Sequence, residues 1–530
     1  MRVFAKVFLF LCFCLLAALG FRSASGTAFV EIGQNLTAST FGQDSFATPP
    51  DSDGDVAPND YVEFINGRFS VYRKSGGPPV RSITDLAFWS QAGVTLPTGF
   101  DVSDPRVVYD PTVQRWFASA VDFDPSLAIN ANDFLLAVSA TADPAGVWKG
   151  VSFASDPGGN NFADFPTLGL DSEAIYLAGD MFDDTGNPVA STLVSIPKTD
   201  LLGSSPSARN RTSFGLLSYA SRGQILQPAV CLDGSSAGAV LAVGDLGIDF
   251  QPHLTLIGST VQNPAAPAGA SLNGPVTISV PPYLVPINPL QPDGSTNLDD
   301  GDTRFSAIVR CVGGVLYAVN GAEVNNRAAI RWYRLSASDY TLLESGTISD
   351  PVLDLFYPSI AANTNGTIVI GCNGSSRTNF VGAYAMIGQS TNGVTTFGKL
   401  LLLRAGTSSY QDGSSTGVSR WGDYSATSVD PADPTRFWTI QMVASGSSTW
   451  STQITELITS PPPLAITGLG TNVLVSWPML ASSAQLQFSA NISSESWAAV
   501  PETPSTNGTV VSVLVPAPGR QQFFRLVPLP

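Results

Sequence analysis

Six carboxylates recur at matching places along this chain: Asp55, Asp104, Asp164, Asp302, Asp354 and Asp423. Arg106, Arg304 and Arg420 each stand within three residues of one of them. Groups of these types can hold a ligand through charge-assisted hydrogen bonds. Two of the acids could also flank a glycosidic bond as general acid and base or nucleophile, at a separation of about 5 to 10 Å. A ring of carboxylates raises its own proton affinity unless arginines or a cation compensate. The same residues have a plain structural use, because an Asp ahead of Pro or at the start of a strand caps backbone amides and initiates turns. The fold decides between these uses by bringing the acids together or keeping them apart.

The positions matter because they open copies of one phrase, repeated seven times between Asp55 and Tyr424: a Pro or aromatic start, an apolar strand, a tight turn and a second apolar strand. The clearest copies are Asp104-Pro-Arg-Val-Val-Tyr-Asp-Pro-Thr-Val-Gln-Arg-Trp and Trp421-Gly-Asp-Tyr, which runs on to Asp430-Pro-Ala-Asp-Pro-Thr-Arg-Phe-Trp. Weaker copies begin at Asp164, Gln227, Asp302 and Tyr357, and a degenerate one at Val56. Starts roughly fifty to eighty residues apart match one four-stranded propeller blade with variable loops. The expected fold is all-β, a seven-bladed β-propeller, with six or eight blades as alternatives. A β-helix would need a much shorter period, and a large β-sandwich would not repeat its strand starts. The first strand of each blade lines the central channel, so the residues that begin these strands should ring one mouth. The expected ligand-binding set there is Asp104, Arg106, Asp164, Asp302, Arg304, Arg420 and Asp423.

Other chemistry has less material. Asp51-Ser-Asp-Gly-Asp places Asp51, Asp53 and Asp55 at alternate positions, and Asn297-Leu-Asp-Asp-Gly-Asp offers Asp299, Asp300 and Asp302. Both are oxygen-rich loops of the kind that a structural Ca²⁺ needs, although neither supplies the bidentate Glu and flanking helices of an EF-hand. His253 is the sole histidine, so a Ser-His-Asp system or a zinc-histidine cluster has little material, and it reads as a loop residue. Trp89, Trp148, Trp332 and Trp450 could stack on sugar faces near strand ends or pack between blades. Cys231, Cys311 and Cys372 lie in or beside apolar runs, which suggests buried thiols with one disulfide as the alternative. No phosphate-cradling Gly loop, CxxC pair or basic stripe is present.

Composition fits a turn-rich β protein: 49 Gly, 39 Pro, 10% aromatic and only 13% charged residues. The net charge of −16 argues against nucleic-acid partners and favours a soluble, exported protein. Residues 1–26 read as a signal peptide, with Arg2 and Lys6 ahead of an apolar stretch from Val7 to Phe21 and small residues for cleavage. That stretch is short for a bilayer span, so no membrane span is expected after cleavage. The propeller should occupy 27–459, a Pro-rich linker 460–463 and a small β-sandwich 464–530. The expected location is extracellular, secreted or at the cell surface, and the expected state is monomeric.

Gly54-Asp-Val-Ala-Pro-Asn-Asp-Tyr-Val-Glu-Phe-Ile-Asn, Phe69-Ser-Val-Tyr-Arg-Lys-Ser-Gly and Arg420-Trp-Gly-Asp-Tyr resemble a group of secreted bacterial propeller proteins without an assigned activity, across most of residues 50–457. More distantly the chain is similar to sialidases and other Asp-box propellers, although its turns lack the Ser-x-Asp-x-Gly-x-x-Trp order. That resemblance implies an arginine triad, Arg106, Arg304 and Arg420, with Tyr424 as nucleophile and Asp423 as its acid partner. Val473-Leu-Val-Ser-Trp-Pro, Trp497 and Gln522-Phe-Phe-Arg-Leu resemble a fibronectin-III- or immunoglobulin-like module, which implies a spacer, an attachment or a sugar contact. The function expected is non-catalytic binding of a glycan or extracellular protein at the channel mouth. The alternative is a glycan-processing enzyme, a sialidase-like hydrolase or a lyase, using Asp104, Asp302, Asp423 and Tyr424.

Overall fold

Short apolar runs broken by Asn, Asp and Gly turns favour antiparallel hairpins. Gly313 and Gly314 show how: both take positive φ, 58° and 75°, and join strands Arg310–Val312 and Val315–Glu323 in a two-residue turn. A computed structural model describes residues 29–126, 131–246, 251–414, 417–479, 483–492, 497–517 and 521–529. The signal segment, 1–26, lies outside the described residues. The described chain is nearly all β, built mainly from four-stranded antiparallel sheets, the construction of a β-propeller. Among the described residues no helix is long and apolar enough to cross a membrane.

Seven sheets, six of four strands and one of five, are strung along residues 31–458. Their first strands are Asp53–Val56, Asp101–Asp110, Phe162–Leu170, Gln224–Pro228, Arg310–Val312, Asp354–Ala362 and Ala426–Val429. Each first strand lies against the next, the fourth reaching the fifth through a bridge from Val230 to Arg310, and the seventh returns to the first. The seventh sheet takes its outer strand, Glu31–Thr40, from the other end of the chain, paired with Thr449–Ile458. That pairing closes the ring without a free edge between its first and last sheets. Residues 284–309, between the fourth and fifth sheets, displace the fifth first strand to Arg310, eight residues beyond the Asp302 that opens its phrase.

Apolar faces of successive sheets meet in separate clusters, as stacked layers require. Val108, Phe117 and Leu136 of the second sheet pack on Leu168, Leu177 and Val194 of the third. The four tryptophans weighed as sugar platforms belong to such interiors: Trp89, Trp148, Trp332 and Trp450 are all buried. Trp89 and Trp148 join Phe64, Phe69 and Phe88 in one aromatic cluster, where ring area is worth more than it would be in water. His253, expected in a loop, instead opens the strand His253–Gln262, is buried, and lies against the Tyr283 ring.

Beyond residue 460, two small sheets share a core of Val475, Trp477, Leu486, Val513, Val515 and Leu526, joined by Phe29. One sheet contains Asn472–Pro478 and Val510–Pro516, the other Ala484–Ser489 and Phe523–Pro528.

Candidate functional site at the channel mouth

The repeated phrase corresponds to a recurrent β-bulge. In four first strands, two residues oppose one on the neighbouring strand: the register slips between Ser103 and Arg106, Asp164 and Thr167, Gln224 and Gln227, and Phe356 and Ser359. At each slip one non-glycine residue takes positive φ: Asp104 (59°), Phe165 (50°), Ile225 (52°) and Tyr357 (44°). Three of these four precede a proline, namely Pro105, Pro166 and Pro358. A bulge re-aims its side chains and bends the strand, and a left-handed residue in its centre costs about 1–3 kcal/mol. The bulges stand at the same end of the ring, so the re-aimed residues gather at one mouth.

Two arginines and several aspartates organise that mouth. Arg420 donates through Nη1 to Asp299 Oδ2 at 2.7 Å and through Nη2 to both oxygens of Asp423 at 3.0 and 2.9 Å. Arg304 grips Asp302 in two parallel bonds, Nε to Oδ1 at 2.9 Å and Nη2 to Oδ2 at 2.8 Å. Asp51 ties the first sheet to the seventh, accepting from the Asp423 amide and from Asn66 Nδ2, both at 2.8 Å. Asn66 Oδ1 in turn accepts from the Asp104 amide at 2.8 Å. Asp300, Asp302, Arg304, Tyr357, Arg420 and Asp423 line a small cavity of about 60 Å³. Within it the Asp300 carboxyl, 6% exposed, and the Tyr357 hydroxyl have no hydrogen-bond partner among the described residues.

Arg106 lies deeper. Its guanidinium covers the Tyr424 ring at 3.3 Å and donates to the carbonyls of Pro166 (3.2 Å) and Ser306 (3.1 Å), tying the second sheet to the third and to the segment 284–309. Tyr424 Oη donates to Pro105 O at 3.0 Å.

Crowding of acids in a poorly hydrated place raises their proton affinity. Burial pushes Asp51 well above the usual carboxylate range, and the neighbouring Asp423 and Asp104 push it further. Asp104 is raised by burial and then by Asp164. Asp164 and Asp423 are raised by burial against the pull of Arg304 and, for Asp423, first of Arg420. Asp300 is raised well above its usual value by burial, then by Asp299 and Asp302. Asp53, inside the channel, reaches about 7 through burial. Both arginines are held in their charged form by the same acids, Asp302 first for Arg304 and Asp423 first for Arg420, despite their own burial.

The structure thus places Asp104, Asp164, Asp302, Arg304, Arg420 and Asp423 at one end of the ring. Arg106 belongs to the channel below that end, not to the cavity. Asp55 faces away: it accepts from the Tyr109 amide at 2.9 Å and lines a separate opening at the other end of the ring. Asp354 serves as a cap, accepting from the amides of Leu290 and Ala328. Tyr424 does not line the cavity; its hydroxyl is buried, bonded to a carbonyl and held protonated by burial, unsuited to act as a nucleophile. Asp51, Asp53 and Asp55 diverge to separate backbone partners, and Asp299 and Asp302 are bound by different arginines. Among the described residues no three His, Cys, Asp or Glu side chains are grouped as a metal cage. The sequence offered Asp300 only as a calcium ligand and Tyr357 only as the start of a phrase, and neither stood in the expected ligand-binding set. The one available signal was the match of Tyr357-Pro to Asp104-Pro and Phe165-Pro.

No known protein family matches the sequence, and no curated protein does. Among solved structures, a protein of unknown function from Dyadobacter fermentans is similar at 12% identity and a TM-score of 0.37, over 69% of this chain and 97% of its own. The extracellular domains of Drosophila Semaphorin 1a are similar at 7% identity and a TM-score of 0.38, over 80% and 88%. An exo-β-1,3-galactanase from Clostridium thermocellum is similar at 9% identity and a TM-score of 0.27, over 93% and 100%. Similarities this remote carry no functional argument; the chain's own geometry does.

Proposed function

We propose that the protein is an exported, seven-bladed propeller that binds a glycan at its channel mouth without acting on it chemically. The observation that carries this reading is the mouth cavity, in which an Asp300 carboxyl and a Tyr357 hydroxyl without partners among the described residues stand beside two arginine–aspartate pairs. Sugar hydroxyls both donate and accept, and these groups offer both functions in a small polar recess. A buried polar group without a partner costs roughly 1–3 kcal/mol, a cost that a hydroxyl-rich ligand would relieve. The reading of a ring of seven blades rests on seven sheets whose first strands contact one another in a closed circle. A protein surface is the second class of partner, and the module after residue 460 then acts as a spacer or attachment. A glycan array followed by calorimetry on the best ligand tests the proposal. Asp300→Asn and Tyr357→Phe are each expected to weaken binding at least about tenfold, the equivalent of one hydrogen bond of about 1.4 kcal/mol, with melting no lower than that of the parent protein. Unaltered affinity in both variants would refute the assignment of this cavity.

One observation favours the enzymatic alternative: burial, with Asp299 and Asp302 beside it, raises the proton affinity of Asp300 while Asp302 and Asp423 are paired with arginines, the contrast of environments that a general acid and an ionised partner need. Hydrolysis or eliminative cleavage of a polysaccharide panel, abolished in folded Asp302→Ala or Asp423→Ala variants, would replace binding by catalysis.

A further inference from the structure

At the end of the ring opposite the mouth, two thiols from different sheets meet. Cys231 follows the first strand of the fourth sheet and Cys311 lies in the first strand of the fifth, with Sγ atoms 2.8 Å apart. The backbone holds them in register. Val230 N–H donates to Val309 O and Cys311 N–H to Val230 O, both at 2.9 Å, so the two segments run side by side as parallel neighbours. The turns that follow are bonded across the same seam, Gly313 N–H to Asp233 Oδ2 at 2.6 Å and Gly314 N–H to Ser235 Oγ at 2.8 Å. Hydrogen-bonded neighbours lie about 4.8 Å apart, within the span of about 4.4–6.8 Å that a disulfide bridges between Cα atoms. Cys372, the third described cysteine, is buried in another cluster and has neither thiol for a neighbour.

We propose that Cys231 and Cys311 form a disulfide that staples the fourth sheet to the fifth. The oxidant is a disulfide of the exporting compartment or of the medium. Cys311 lines the opening of about 420 Å³ at this end of the ring, which gives an oxidant access to the pair. One thiolate of the pair attacks one sulfur of the oxidant disulfide, whose S–S bond breaks to release a thiol. The other thiolate then attacks the protein sulfur of that mixed disulfide and expels the second thiol. Two electrons and two protons leave the protein, and the oxidant becomes two thiols. The position has a purpose in the fold. The fifth sheet's first strand is only three residues long, and it follows the segment 284–309 that contributes Asp300, Asp302 and Arg304 to the mouth. A covalent tie here anchors the shortest seam of the ring beside the segment that builds the candidate site.

Peptide mapping tests this independently of any ligand. Cys231, Cys311 and Cys372 fall in three separate tryptic peptides, 223–304, 311–327 and 335–377. The folded full chain is incubated with oxidised glutathione, denatured with iodoacetamide to block remaining thiols, and digested without reductant. The expected product is peptide 223–304 joined to 311–327, with Cys372 alkylated. It should form equally in Cys372→Ser and be absent in Cys311→Ser. Recovery of Cys231 and Cys311 as alkylated thiols, as separate glutathione adducts, or joined to Cys372 would overturn the proposal.

Discussion

Asp53 gives the sharpest test of the electrostatics inside the ring. It begins the first strand of the first sheet, is 1% exposed, and accepts one bond, from the Gly54 amide at 2.6 Å, while Oδ2 has no partner among the described residues. Burial raises its carboxyl from 3.8 to about 7 against the pull of Arg106. Between these values the folded chain carries one proton more than the unfolded chain, so each pH unit gained removes about 1.4 kcal/mol of stability. The destabilisation is absent below pH 4, grows as pH rises, and levels off above pH 7 at about 4 kcal/mol. Asp53→Asn keeps the acceptor for Gly54 and never ionises. Urea unfolding followed by tryptophan fluorescence from pH 4 to pH 8 should show the two proteins close at pH 4. The variant should then become the more stable by about 4 kcal/mol at pH 8. Because the other titrating acids are common to both, the difference between the curves isolates Asp53. Parallel pH profiles would refute the claim that this carboxyl is held protonated in the channel.

Further outcomes follow from particular contacts. Lys198 Nζ lies 2.7 Å from Asp110 Oδ2 with both side chains buried, so Lys198→Met should cost about 3–5 kcal/mol in chemical denaturation, partly recovered by adding Asp110→Asn. Tyr424→Phe keeps the ring beneath Arg106 and loses only the bond to Pro105, a loss of about 1 kcal/mol by the same assay. Removing residues 29–40 strips the outer strand from the seventh sheet, and limited proteolysis should then cut first within Thr449–Ile458. Structural Ca²⁺ at Asp51, Asp53 and Asp55 or at Asp299, Asp300 and Asp302 predicts a melting temperature that falls with chelator and recovers with added calcium; identical curves would dismiss it.

The propeller was legible because its repeat is long and starts with chemistry that local propensity does not produce by chance. Asp104, Asp164 and Asp423 could be assigned to one mouth on that basis, because residues at equivalent points of a repeat occupy equivalent points of the ring; Asp302 reaches the same mouth from the segment 284–309, not from the start of a first strand. Asp55 failed the same argument: successive strand residues alternate in direction and advance along the channel, so four residues separate Asp51 at one end from Asp55 at the other. Depth was equally hidden. Arg106 follows Asp104 by two positions, yet the bulge between them sends it down onto Tyr424 instead of out to the mouth. The tryptophans were ambiguous because packing between sheets is decided by partners far away in sequence, as with Trp148 against Phe69 and Phe88.

The bulge also explains why aspartate, phenylalanine and tyrosine occupy equivalent positions of the phrase. The backbone there needs a residue that tolerates a left-handed conformation ahead of proline, or one whose side chain gains enough to offset the strain. Asp104 gains little beyond a neighbouring hydroxyl, Ser103 Oγ; Phe165 gains the flank of Arg304 at 4.5 Å and an edge contact with Tyr424. Tyr357 pays the same strain and leaves its hydroxyl without a partner in the cavity. Asp51, Asp302, Asp354 and Asp423 are satisfied by amides and arginines, as residues that hold a ring together should be. What distinguishes a site from a scaffold at this mouth is therefore not where the acids gather but which polar groups the scaffold leaves unsatisfied, and that criterion singles out Asp300 and Tyr357.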